Sequence, residues 1–118
     1  MAVDRSQVQA PVLPKEETEV PAIGGSVVVR GMLLTDRMAL WDAGQPRPDE
    51  TAEQAKARAE AAIVPDTLAR CVVLDDGKPL WTSDEWNAFG AANPGEALRL
   101  FNLANRLSGG DTQATEKN

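Results

Sequence analysis

Acid–base chemistry needs titratable side chains held together, and the richest run of them here is Asp75-Asp76-Gly77-Lys78-Pro79-Leu80-Trp81-Thr82-Ser83-Asp84-Glu85. Its carboxylates have the outline of a calcium loop, but the spacing is wrong. Glycine comes too early in the run, and Trp86 falls where a bidentate Glu must close the site. The carboxylate pairs Asp75/Asp76 and Asp84/Glu85 are adjacent residues on a polar stretch, without the burial that tunes an acid and a base apart. The run reads as a turn followed by a helix cap. Cys71 is the only cysteine, so no disulfide within the chain is possible, and its setting in Cys71-Val72-Val73-Leu74 points to a buried, inert thiol. The chain has no histidine and no tyrosine, which removes Ser/His/Asp, Cys/His and zinc arrangements. Neither Gly24-Gly25 nor Gly109-Gly110 precedes the Lys and Ser or Thr of a phosphate loop. The expectation is a protein that is not an enzyme and carries no metal or cofactor.

The elements that would carry these residues follow from pattern and punctuation. Residues 1–18 show neither helical nor strand periodicity and read as a disordered arm. Val20-Pro21-Ala22-Ile23 and Ser26-Val27-Val28-Val29-Arg30 flank Gly24-Gly25, which predicts a β-hairpin turning at the glycines. Thr35 is placed to cap a short helix with Met38 and Trp41 on one side, closed by Gly44. The Ala-rich stretch from about Asp49 predicts the longest helix, with a kink or a fresh start at Pro65 and an apolar stripe of Leu68, Cys71 and Val72. Thr82 and Glu85 form a capping box ahead of Trp86 and Phe89. Asn93, Pro94 and Glu96 start a last helix with Ala97, Leu100, Phe101, Ala104 and Leu107 on its apolar face. The expected fold class is mainly α: a small helical domain over 19–110 with an N-terminal β-hairpin and flexible termini, the tail being residues 111–118.

Composition limits the partners. In 118 residues there is room for one core, and with only 4% aromatic residues that core rests on Ala, Val, Leu and Ile. Trp41, Trp81, Trp86, Phe89 and Phe101 are either its bulky pieces or, in part, the lining of a groove for an amphipathic helix. Trp86, Phe89, Leu100 and Phe101, on the last two helices, are the candidate partner-binding residues. A net charge of −6 with scattered basic residues argues against nucleic acid and anionic membrane. No apolar stretch is long enough to span a bilayer, and the N-terminus lacks the core of a signal peptide, so the expected location is the cytoplasm.

Read in order, the pieces Glu19-Val20-Pro21, Gly24-Gly25-Ser26-Val27-Val28-Val29-Arg30, Leu33-Leu34-Thr35-Asp36-Arg37-Met38, Leu68-Ala69-Arg70-Cys71-Val72-Val73-Leu74-Asp75-Asp76-Gly77-Lys78-Pro79-Leu80-Trp81 and Leu103-Ala104-Asn105-Arg106-Leu107-Ser108-Gly109 resemble the tail assembly chaperones of siphovirus-type phages. The resemblance covers residues 18–118, with Leu107-Ser108-Gly109 standing where the family pattern has Leu-Asn-Gly. It implies a non-enzymatic chaperone in the host cytoplasm that self-associates, binds and shields the long helical tape measure protein, and is absent from the mature virion. The rival reading is a structural component of the tail or virion. The resemblance also implies a longer product made by programmed frameshifting that engages the tail tube protein. Glu116, Lys117 and Asn118 can be encoded as GAA-AAA-AAC, which contains the slippery heptamer A-AAA-AAC. The polar stretch 108–118 would then be a linker.

Overall fold

The computed structural model describes residues 2–109. The expected flexible tail, with Glu116, Lys117 and Asn118, lies outside the described residues.

Alternating side chains on a pleated backbone build a three-stranded antiparallel sheet in the order β1 (Lys15–Val20), β2 (Gly25–Arg30), β3 (Val72–Val73). The hairpin is present but lies earlier than the sequence predicts. Register runs from Lys15 opposite Arg30 to Val20 opposite Gly25, so residues 21–24 make the turn and Pro21-Ala22-Ile23 is not strand. Gly24 takes φ +93°, and its N–H and that of Ile23 both donate to the Val20 carbonyl. The arm therefore ends at residue 14, not 18, and within it Arg5–Gln7 forms a single 3₁₀ turn capped by Asp4. Strand β1 escapes detection because its apolar signal is replaced by charge. Glu16 pairs with Arg106, and the Thr18 hydroxyl accepts from Arg99, both reaching over from the last helix. On β2, Val27 and Val29 face the core with Val20 and Val72, while Val28 and Val73 share the opposite face.

Among the described residues, four α-helices follow the hairpin. Helix α1 (Leu34–Ala43) starts two residues earlier than a Thr35 cap requires. Leu33 occupies the cap position, and its N–H is bound by the Asp36 carboxylate at 2.9 Å. Helix α2 (Ala52–Cys71) opens with the reciprocal Thr51/Gln54 box and continues unbroken through Pro65. It stops at Cys71 because Val72 turns extended and pairs with Val29, which corrects the helical stripe expected to include Val72. The Gly77 turn then folds the chain back, Leu80 N–H donating to the Val72 carbonyl.

Helix α3 (Ser83–Ala92) has the Thr82/Glu85 box that the spacing predicts. Helix α4 (Pro94–Leu107) begins at Pro94 after Asn93, yet the Asn93 side chain does not cap it: its amide donates back to the Phe89 carbonyl, and Glu96 holds Arg99 instead. The physical reason is that Asn93 ends α3 and precedes α4 at once, so it serves the α3 carbonyls. The core lies between the sheet and α2, α3 and α4, with Leu68, Trp86, Leu100 and Ala104 inside; no apolar residue of α1 joins it.

Candidate functional site

Trp86 and Leu100, expected as partner anchors, are interior residues: Trp86 is 1% exposed and Leu100 fully buried. Trp86 packs edge-on against Trp81 at 4.7 Å and against Phe89 at 5.4 Å, which makes it the largest piece of an otherwise aliphatic core. Its indole Nε1 finds no hydrogen-bond acceptor among the described residues. Phe89 and Phe101 are half-buried and pack against the core from its edge.

What the last two helices do present is a groove shared with α2. It is an open apolar channel of about 400 Å³ walled by Val64, Pro65, Ala91, Pro94 and Leu98, with Trp86 at its base. Small residues make it. A Cβ on Gly90 would lie 3.4 Å from that of Ala97, so α3 and α4 approach closely and leave a shallow valley beside α2. Pro65 has no N–H to give to the Ala61 carbonyl four residues back, and Ala61 stands exposed at the rim. An apolar floor beside a carbonyl without its helical donor suits the apolar face of a partner helix with a donor at its edge. Leu98, half exposed at 50%, is the residue sequence reading missed. Its signal was present, four residues on from Pro94, but it lies off the dominant apolar face of α4 and reads as surface.

A second apolar surface belongs to α1, where Leu34, Met38 and Trp41 are all exposed. This helix is fastened by charge. The Asp36 carboxylate takes Arg30 at 2.9 Å and Arg70 at 3.3 Å. At the other end Arg58 holds Glu50 at 2.9 and 2.7 Å and also donates to the Ala43 and Gln45 carbonyls. Burial pushes the Asp36 carboxyl up, but hydrogen bonds from Arg30, the Leu33 N–H and Arg70, with the Arg30 charge, outweigh it and hold the group below the ordinary 3.8. The bonds from Arg58 and the Arg47 N–H pull Glu50 down to about 2. Burial pushes the Cys71 thiol up to about 11. The carboxylates of the 75–85 run flank a plain turn, Lys78 N–H donating to Asp76. Among the described residues no three acidic, cysteine or histidine side chains gather as a metal cluster, and no helix is long and apolar enough to cross a membrane.

This arrangement, a hairpin-led sheet whose third strand follows a long helix and two further helices that close over its inner face, is similar in fold to a phage tail assembly chaperone. The particular structure that shows it is the tail assembly chaperone of bacteriophage HK97, similar over 80% of this chain and 85% of that one, with a TM-score of 0.56 and 18% identity. At that identity the likeness is one of fold. No family model matches the sequence, and no curated protein does.

Proposed function

We propose that this chain is a non-enzymatic phage tail assembly chaperone that binds and shields the helical tape measure protein in the host cytoplasm and leaves before the virion matures. The observation that carries the reading is the shared fold with the HK97 chaperone over most of both chains. The α2/α3/α4 groove supports it, because a protein that shields long helices must offer apolar channels open to solvent. Leu98 and Val64 are the contact residues, with Phe89 and Phe101 supporting the groove from the core edge rather than touching the client.

The rival, a component that stays in the tail, is separated by mass spectrometry of purified particles. The chaperone reading expects the chain in infected-cell lysate and not in finished virions; stoichiometric recovery from virions would overturn it. On the same reading the tail tube protein is reached through a longer product, made by ribosomal slippage at the codons for Glu116, Lys117 and Asn118. The nucleotide sequence tests this: codons that cannot slip would remove it.

A further inference from the structure

Trp86 leaves one hydrogen bond unmade. Its residue is 1% exposed, and the covered indole Nε1–H meets no acceptor among the described residues. Folded proteins keep few buried donors in that state, because each gives up its bond to water and receives nothing in return. Two of its neighbours are the rings of Trp81 and Phe89, which carry no acceptor oxygen. On another side lies the α2/α3/α4 groove, whose base the ring forms. Gly90 stands one turn on along the same face of α3, and its missing side chain keeps the approach from the groove open.

The rest of the groove narrows the chemistry of what can meet that donor. Among the described residues no charged side chain lines it, in a chain of which 25% is charged. Its other polar groups are neutral: the Ala61 carbonyl, which Pro65 leaves without a helical donor, and the exposed Asn87 side chain. A carboxylate or an ammonium group brought into so apolar a channel would lose its water and find no opposite charge there. A purely aliphatic stripe would leave the Trp86 donor unpaired and cover the Ala61 acceptor as well. A side-chain amide avoids both penalties, since its oxygen accepts from the indole while its N–H groups are free to donate to a carbonyl at the rim.

We propose that the groove selects a partner helix by a neutral amide: the stripe that enters is uncharged and apolar, with one Asn or Gln whose side-chain oxygen accepts from the Trp86 Nε1–H. The inference rests on the client-binding reading of this groove and adds the chemistry by which one segment of a long helix is chosen over its neighbours. Trp86 serves the core with its rings and the partner with its N–H.

Overlapping segments of the tape measure protein from the same genome, titrated into the full isotope-labelled chain and followed by NMR, test it. The segment that binds should carry an Asn or Gln on an uncharged stripe, and its binding should move the Trp86 indole proton downfield as the N–H gains an acceptor. Replacing that amide by Leu in the segment should weaken binding about tenfold to the wild-type chain, but about twofold or less to Trp86→Phe, which keeps an aromatic ring and lacks the N–H. The indole signal is read on the wild-type chain, so the test stands whether or not Trp86→Phe folds. A bound segment that leaves the indole unmoved, binds equally well with Leu in place of the amide, or enters with a charge on its stripe would overturn the proposal and leave the chaperone reading standing. An N–H held by the π-face of Trp81 or Phe89 would give the first of these results. A chain that binds no segment would overturn both.

Discussion

Gly31 shows how closely single atoms set this structure. A Cβ there would stand 2.5 Å from the Leu107 carbonyl oxygen, a backbone atom that cannot swing aside. The neighbouring Met32 N–H donates to the Ser108 hydroxyl at 2.7 Å, and that hydroxyl donates to the Ala104 carbonyl at 2.6 Å, so the end of β2 is stapled to the end of α4. Gly31→Ala should cost about 1–3 kcal/mol in denaturant unfolding, the penalty of forcing a methyl into packed space. The tryptophans divide in the same way. Trp86→Ala empties the centre of the core and should cost about 3–5 kcal/mol, whereas Trp41→Ala, at an exposed site, should stay within about 0.5 kcal/mol in dilute solution. Equal losses at the two positions would contradict the burial described here. Cys71, with its thiol raised to about 11, should resist a thiol reagent at neutral pH in the native chain and react once denaturant is added. Rapid labelling of the native protein would show that α2 opens at its C-terminal end.

At the scale of elements, the helices whose order comes from local chemistry were legible and those fixed by distant partners were not. Thr82 with Glu85 announces its helix because the capping atoms are three residues apart, and the Ala-rich run announces α2 by propensity alone, its Thr51/Gln54 box appearing only in the structure. Strand β1 was hidden because the groups that complement Glu16 and Thr18 are Arg106 and Arg99, far along the chain. Asn93 misled for a related reason: one residue faces two helix ends, and spacing does not say which it serves. In α1 the sequence places Met38 and Trp41 on one side, Leu34 falling before the expected Thr35 cap, and a tryptophan at helical spacing is ordinarily core. Only the position of Asp36 and its arginines shows that the stripe faces out. These ionic fastenings make α1 acid-sensitive. Asp36 and Glu50 are held below their ordinary values of 3.8 and 4.5, so their stabilisation is complete above about 4.5 and is lost as pH falls through the folded values, about 2 for Glu50. Amide exchange should therefore show α1 losing protection with acid ahead of α4, which is held by apolar packing. Simultaneous loss in both helices would mean the arginines do not hold α1 independently.

For the whole molecule, the ordering of a hairpin, a long helix and two closing helices around one aliphatic core was within reach of the sequence. Of the four residues expected to meet a partner, Trp86 and Leu100 lie inside the core, and Phe89 and Phe101 pack at its edge. A helical wheel places Trp86 and Leu100 on the apolar faces of α3 and α4, the faces the core takes; Leu98 and the Val64–Pro65 shoulder of α2 line the groove that stays open. Beside the net charge of −6 the molecule presents two apolar surfaces, the groove and the α1 stripe. The most direct test of a chaperone role is co-expression of the full chain with the tape measure protein from the same genome, followed by purification through a tag on that client. The account expects the client to stay soluble with this chain bound, and Leu98→Asp to lose binding at least about tenfold without lowering the melting temperature. A client that aggregates equally with and without the chain, in lysates where the chain itself is folded and abundant, would contradict it.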